Sequence, residues 1–323
     1  MNNILISAGG RRVSLVKAFK DVLLKHEMKS KIFTTDLDIS RSPAAYYSDD
    51  SFNIGSFDSI NYISGLLEIC IANKVSIVIP TLDTELKILS QNQKLFKQND
   101  INVIVSSVDL INIFEDKNLS ERFFRKNGIR TPAIYKSIDD FVFPVFIKPK
   151  HGSNSKDIYM ANNIDEIKPR DLVSNDFIIM EYFDNKYYDE YTVDMYYDRN
   201  SKLISAVPRI RLKVVGGESN QGITKKNHVL SFVKERFNNL KGFIGCITLQ
   251  IFSNQNQDII AIEINPRFGG GYPFSLNAGA NFPDYIVREY MLNENLNYEE
   301  NWSDNCLNLR YNKEIFILSE KTN

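Results

Sequence analysis

An open, doubly wound parallel sheet followed by an α+β region is the fold class predicted by this 323-residue sequence, and three observations predict it. Short β-branched runs alternate with helix-length amphipathic stretches up to about residue 113. Longer strand-like runs separated by polar turns dominate after about residue 176. Between them, a Gly/Ser/Asn-rich stretch flanked by two strand-like runs reads as a hairpin. A chain this long exceeds what one core usually organises, so two or three domains are expected.

In chain order, NILIS (3–7), KIFTT (31–35), SIVIP (76–80) and NVIVS (102–106) have the length and branching of strands. RVSLVKAFKDVLLKH (12–26) and SINYISGLLEICIANK (59–74) carry apolar residues at helical spacing between them. Strand, helix, strand repetition builds a parallel sheet covered on both faces, with ligand sites at the carboxyl ends of its strands. Those ends are SAGGRR (7–12), DLD (36–38) and TLDTE (81–85). The first lacks the G-x-G-x-x-G spacing of a dinucleotide loop, so hydride transfer is not expected. DKNLSERFFRKNG predicts a helix ending at Gly128, and FPVFIKPKHGSNSKDIYMANN predicts the hairpin. A helical stretch near 164–173 leads into a strand at DFIIMEYF (176–183). YTVDMYYD, KLISAVPRIRLKVV, FIGCITLQIF and DIIAIEINPR read as antiparallel strands, with helices near 224–240 and 283–292 and a last strand at EIFIL (314–318).

Composition narrows the function classes. With 43% hydrophobic, 24% charged and 12% aromatic residues this is a folded protein rather than a disordered one. The 39 Lys and Arg nearly cancel the 40 Asp and Glu without a block of like charge, so no nucleic-acid partner is expected. Cys70, Cys246 and Cys306 lie far apart without metal or redox spacing and are expected to be reduced and buried. No basic segment precedes the short apolar run at the N-terminus, and no stretch approaches the ~20 residues of a membrane span. A cytoplasmic location without a membrane partner is expected.

The residues most suggestive of chemistry lie in AIEINPRFGGGYP (261–273). Side chains two apart on a strand share a face, which groups Glu263, Asn265 and Arg267 and turns Ile262 and Ile264 to the core. A carboxylate and an amide buried on one sheet face need a partner, and a divalent cation with hard oxygen ligands is an economical one. Arg267 would then hold an anion bound to that cation. The bland rival is a solvated edge-strand face. Gln250 falls on the neighbouring strand, with the register left open. Lys148 ends a strand and is followed by Gly152, Ser153 and Ser155, a loop able to offer backbone N–H groups to phosphate, although an ordinary hairpin tip looks the same. His26 reads as a surface residue, while His151 borders that loop and His228 starts a helix; no Ser-His-Asp set or cysteine nucleophile is visible.

Taken in order, these pieces resemble the ATP-grasp superfamily, in the branch similar to the carbamoyl phosphate synthase large subunit and the pyrrolysine-pathway ligase. The resemblance runs through Asp116 and Lys117, FIKP with Lys148, HGSNSKDI, MEYF, DEYTVD with Glu190, PRIRLK with Arg209 and Arg211, TLQIF with Gln250, and EINPRFGGGYP, nearly the whole chain. It implies a Rossmann-like pre-ATP-grasp domain over 1–113, an ATP-grasp lid over 114–183 that closes on nucleotide, and a C-terminal ATP-grasp subdomain with the metal site over 184–323. Lys117 and Lys148 would contact the phosphates of ATP, residues 152–156 would cover them, Glu181 and Tyr182 would border the adenine, and Glu190 would bind the ribose. Gln250, which stands where many members carry an acid, would join Glu263 and Asn265 in holding one or two Mg²⁺ (or Mn²⁺). Arg267 would neutralise the transferred phosphoryl group, with Arg209 and Arg211 approaching from the other wall, and the three glycines at 269–271 would let substrate approach the backbone. The strand ends of the first domain would face the acyl end of the site, so that Gly9, Gly10, Arg11 and Arg12 bind substrate and Glu85 meets an amine.

The implied activity is an ATP-dependent carboxylate–amine ligase working through an acyl phosphate, with small-molecule carboxylate and amine substrates and a homodimer as a possible assembly. A bicarbonate-activating, carbamoyl phosphate synthase-like enzyme and a non-catalytic ATP-binding module are the rivals. ADP release with bicarbonate against amino acids separates the first, and tight ATP binding without hydrolysis identifies the second.

Overall fold

The computed structural model describes residues 2–150, 157–174, 176–238 and 240–317. Its first part contains β1 (Asn3–Ser7), α1 (Val13–Lys25), β2 (Ile32–Asp36), β3 (Asp50–Asn53), α2 (Tyr62–Ala72), β4 (Val75–Pro80), α3 (Asp83–Gln91), α4 (Gln93–Lys97), β5 (Asn102–Val103) and α5 (Val108–Glu115). The five strands are parallel in the order β3-β2-β1-β4-β5. The order reverses at β1, so the crevice at the carboxyl ends of β1 and β4 is the switch point where such sheets bind ligands. Alternation places Ile4, Ile6, Ile77 and Ile79 in one core and Leu5 and Val78 in another on the opposite face. β5 is shorter than the run 102–106 suggests, because the chain turns away to meet the C-terminal part. Ser107 donates to the Gly242 carbonyl at 2.9 Å, and a Cβ on Gly245 would stand 2.5 Å from Ile104.

Next come α6 (Lys117–Lys126), β6 (Val145–Pro149), β7 (Tyr159–Ala161), α7 (Pro169–Val173) and β8 (Phe177–Glu181). β6 pairs antiparallel with both β7 and β8, which forms the expected hairpin and its third strand. The Asp116 carboxylate caps α6 by accepting from the Asn118 and Leu119 amides at 2.8 and 3.0 Å. Phe124 of α6 belongs to the large core, and Phe123 meets Phe114 of α5 edge-on at 5.0 Å, so α6 packs on the large core while Lys117 at its start reaches β6. That sheet has its own core of Val145, Ile147, Ala161, Ile167 and Ile179.

The last part contains β9 (Tyr188–Tyr197), β10 (Leu203–Val215), β11 (Glu218–Thr224), α8 (His228–Phe237), β12 (Gly245–Asn254), β13 (Ile259–Asn265), α9 (Tyr272–Asn277), α10 (Phe282–Tyr290) and β14 (Leu307–Leu309). Its sheet runs β13-β12-β9-β10-β11-β14 and is antiparallel throughout. β11 occupies residues the sequence left without an element, and α8 starts only at His228, where Asn227 caps it. The final strand is at 307–309 and not at EIFIL, whose described residues 314–317 lie in no strand. β14 buries Asn308 and exposes Leu307 and Leu309, the inverse of an apolar pattern, so alternation could not reveal it. Cys306 is only partly buried, unlike Cys70 and Cys246. Phe19 of α1 and Phe282 of α10 share one continuous core, joining the first and last parts. Across this contact His26 lies 2.8 Å from Asp284 and is mostly buried, which corrects its expected surface position.

Candidate active site

One face of the C-terminal sheet carries the polar residues. Register places Gln250 opposite both Glu263 and Thr192, Thr248 opposite Asn265 and Asp194, and Arg209 opposite Thr192, so residues of four strands share this face. Glu263 Oε1 accepts from Gln250 Nε2 at 2.6 Å and from Asn265 Nδ2 at 3.0 Å. The three predicted metal ligands are therefore joined through Glu263. The period-two argument fails at one point: the ladder shifts between Gln250 and Ile251, making Ile262 an extra, half-buried residue in a β-bulge. Arg211 adds a donor from β10, pairing with Glu190 and approaching Gln250 Oε1 at 3.3 Å. Glu190 is thus engaged by Arg211.

Two lysines face this carboxylate from the small sheet and α6. Lys117 donates to the Pro149 carbonyl, one residue beyond Lys148. Burial, then the neighbouring charge of Lys148, pushes the Lys117 ammonium down to about 8, against the opposing pull of Glu263. Burial lowers Lys148 too, again opposed by Glu263. Two ammonium groups within each other's field next to a single carboxylate make a site short of negative charge.

Arg267 marks where the sheet meets the first domain. Its Nη2 lies 2.5 Å from Asp83 Oδ2, at the start of α3 beyond β4. Arg12 donates to the Thr81 carbonyl at 3.3 Å, and burial followed by the charge of Arg267 pushes it down to about 10, still cationic at neutral pH. Arg11 is exposed and 3.5 Å from Glu218, which Arg310 also grips at 2.6 Å. Arg310 further donates to the Gly270 carbonyl at 2.5 Å.

Other expected site residues are placed differently. Glu85 is 1% exposed, and its carboxylate accepts from Tyr62 Oη and the Thr81 and Leu82 amides at 2.8, 2.8 and 3.1 Å; burial raises its pKa. It fixes the turn between β4 and α3 and is closed to an incoming amine; Asp83 faces the cleft instead. The Gly9 and Gly10 amides are already used, by the Thr35 carbonyl at 3.0 Å and Asp36 Oδ2 at 2.9 Å, so they offer no free donor to an anion. Arg209 is 1% exposed and paired with Asp194 at 2.9 Å on the same sheet face, whereas Arg211, two residues further along β10, joins Glu190 and Gln250. Glu181 accepts from Arg130 at 2.9 Å and the Ala133 amide at 3.2 Å, and Tyr182 beside it is half-buried. Gly152, Ser153 and Ser155, like His151, lie outside the described residues.

The glycines after Arg267 accommodate the protein itself. A Cβ on Gly269, Gly270 or Gly271 would stand 2.8 Å from Thr248 Oγ1, Glu218 Oε1 or Arg209 Nη1 respectively. This close packing replaces the expectation that they open the backbone to substrate. His228, at the start of α8, bonds Ser253 at 2.7 Å, away from these residues in the sequence and without a third catalytic partner among the described residues.

Known proteins share this fold. A family model described as PylC-like, N-terminal domain, matches residues 4–104, and one described as ATP-grasp in the biosynthetic pathway with Ter operon matches 173–313. The chain thus joins a PylC-like N-terminal domain to an ATP-grasp domain. The carbamoyl-phosphate synthase of Methanobrevibacter smithii is 29% identical over 112 residues, 31% of this chain and 30% of that protein. The carbamoyl phosphate synthase large chain of Haemophilus ducreyi is 24% identical over 207 residues, 57% of this chain and 19% of that one. The matches therefore span under a third of the curated relatives' length. Among solved structures, N5-carboxyaminoimidazole synthetase from Staphylococcus aureus, complexed with ADP, superposes with a TM-score of 0.70 at 16% identity, over 95% of this chain and 80% of that one. The biotin carboxylase domain dimer of Hydrogenobacter thermophilus 2-oxoglutarate carboxylase, with MgADP and bicarbonate, gives 0.70 at 15% identity, over 94% and 73%. Both share the ATP-grasp fold.

Sequence reasoning missed Asp83, Asp194, Glu218 and Arg310. Asp83 was within reach, two residues before Glu85 in TLDTE, and Asp194 shares a strand face with Glu190. Glu218 and Arg310 gave no local signal, since only pairing of β11 with β14 brings them together.

Proposed function

We propose that this ATP-grasp chain is an ATP-dependent carboxylate–amine ligase acting through an acyl phosphate. The observation that carries the reading is the contact of Gln250, Glu263 and Asn265 on one strand pair, opposite Lys117 and Lys148. The donor set fits a hard cation, because all three side chains carry oxygen and amides can present it on rotation. Among the described residues no three His, Cys, Asp or Glu side chains gather at a metal site, so Glu263 is the one carboxylate of the proposed ligand set. Mg²⁺, or Mn²⁺, would therefore reach it mainly together with the nucleotide phosphates, and when bound it would neutralise their charge.

The protein's own groups do the rest. Lys117 and Lys148 would hold phosphate oxygens, the backbone at Glu181 and Tyr182 would border the adenine, and Glu190 the ribose. Arg267 would turn from Asp83 to the acyl phosphate, supported by Arg211. The carboxylate oxygen attacks the terminal phosphorus and ADP leaves; the amine nitrogen then attacks the acyl carbon and phosphate leaves. Positioning and charge neutralisation supply the rate, so no protein nucleophile is needed.

A panel of carboxylates and amines with Mg·ATP, read by ADP release and by mass spectrometry of the product, tests this. ADP release with bicarbonate and no other acid would favour a bicarbonate-activating enzyme. Tight ATP binding without turnover across the panel would overturn the ligase reading.

Lys117 makes a pH prediction. Phosphate binding favours its charged form, which the free protein loses as pH rises through about 8. Nucleotide affinity should be flat below that pH and weaken above it by up to about tenfold per unit until the pKa of the complex is reached. Lys117→Arg should flatten the curve. Calorimetric Kd values from pH 6.5 to 9.5, on the order of three units, would show this, and an equal fall in the arginine variant would count against it.

A further inference from the structure

The domain junction holds more positive charge than a simple carboxylate requires. Four guanidiniums, of Arg11, Arg12, Arg267 and Arg310, face two carboxylates, of Asp83 and Glu218. Asp83 serves Arg267, and Glu218 is shared by Arg11 and Arg310. Arg12 makes no ion pair among the described residues and has only the Thr81 carbonyl, although it is mostly buried and close enough to Arg267 to feel its charge. Its counter-charges, Asp83 and Glu218, act on it without contact and are each engaged by other arginines, and a mostly buried guanidinium held in that way is prepared for an anion.

A second observation adds Arg209, which is not one of those four guanidiniums. Arg209, 1% exposed, leaves Nη1 without a hydrogen-bond partner, against Gly271. Arg310 grips the adjacent Gly270 carbonyl, and the two guanidiniums lie 5.8 and 5.6 Å from the Phe274 ring centroid. The unspent Arg209 donor and the engaged Arg310 guanidinium thus lie on two sides of Gly270 and Gly271, from β10 and from just beyond β14. The side chains of Asp83 and Glu218 are 44% and 41% exposed, free to swing aside when a ligand takes their cations.

We propose that the acyl substrate carries a second anionic group, carboxylate or phosphate, held by Arg12 and Arg310 while Arg267 faces the carboxylate that is activated. The inference rests on the ligase reading. A monocarboxylate would satisfy Arg267 and leave Arg12 unmatched. Asp83 and Glu218 occupy the cations in the meantime, as the two acid groups of the substrate later do. Arg310 becomes a specificity-determining residue that no local motif marks.

Two measurements test the proposal. The first is calorimetric binding, without nucleotide, of glutarate, succinate and phosphonoacetate against butyrate and acetate. The second is activation of the same acids by Mg·ATP with hydroxylamine as the amine. There the nitrogen bonds to the acyl carbon, the carbon–oxygen bond to phosphate breaks, inorganic phosphate leaves and a proton passes to solvent, giving a hydroxamic acid that ferric iron added afterwards turns into a coloured complex. Dianions should bind and react at least about tenfold better than monoanions, and Arg12→Ala or Arg310→Ala should remove most of that preference through KM, with Arg12→Lys between. The dicarboxylates and phosphonoacetate distinguish a carboxylate from a phosphate at the second position. Thermal melts of both alanine variants establish that they fold, and the Kd for Mg·ATP should stay within about twofold. Arg12-dependent binding of dianions without hydroxamate would leave the anion site standing and remove the ligase reading. Equal use of monoanions and dianions, or an Arg12 dependence seen only with amino acids as the amine, would overturn the proposal itself.

Discussion

Glu263→Gln should abolish most ADP release while leaving the fold in place. Glu263 is the only carboxylate among the three proposed metal ligands, and it accepts from both of the others. It is also the one group that holds Lys117 and Lys148 toward their charged forms. Glutamine keeps the shape and one acceptor oxygen but removes the charge, so metal and lysines lose their counter-ion together. Removing one charged group from such a site costs several kcal/mol in the transition state, about a hundredfold or more in rate. Stability should change by no more than about 1 kcal/mol, since the side chain is only partly buried and its neighbours keep a partner. Steady-state kinetics at saturating Mg²⁺ and a denaturant melt check both halves. A rate within a few-fold of the parent's would sink the metal assignment.

Asp194→Ala should produce the largest loss of stability. Asp194 and Arg209 are 0% and 1% exposed, and the carboxylate also accepts from Ser275 Oγ at 2.6 Å. Removing it strands a buried guanidinium that already has an unused Nη1. Breaking one partner of a buried pair typically costs about 3–5 kcal/mol, whereas replacing both by apolar groups often costs little. Urea denaturation should therefore show Asp194→Ala well below the double variant Asp194→Leu with Arg209→Met. If the single variant loses less than about 1 kcal/mol, the pair is not buried in the way described.

Most strands and the ATP-grasp motifs were legible because their signals are local, whereas β3, β11 and β14 were not. β-branched runs mark β1, β2 and β4, and the order of Lys117, Lys148, Gln250 and Glu263 marks the fold. The site's geometry depends on pairing, which spacing does not encode. No property of Gln250 announces that it sits opposite Glu263, and a slip of one residue would have sent it to the other face. Glu85 and Asp83 show the same limit at closer range. Both are acids in one strand end, and only the fold reveals that Tyr62 and two backbone amides take the first while Arg267 takes the second. The three glycines carried a true signal with the wrong cause: each has a neighbour whose position only the folded chain reveals.

The bulge at Ile262 divides β13 into two segments that answer to different demands. Ile259 to Ala261 must match the hairpin turn and the hydrophobic layer, whereas Glu263 and Asn265 must match Gln250 and Thr248. Without the extra residue, any change in turn length would propagate along the ladder and rotate Glu263 away from Gln250. With it, a one-residue offset is taken up at Ile262 before the ligands are reached. A one-residue change in the turn between β12 and β13 should therefore be absorbed at that point, which makes the turn a sound place to insert a tag without retuning the chemistry.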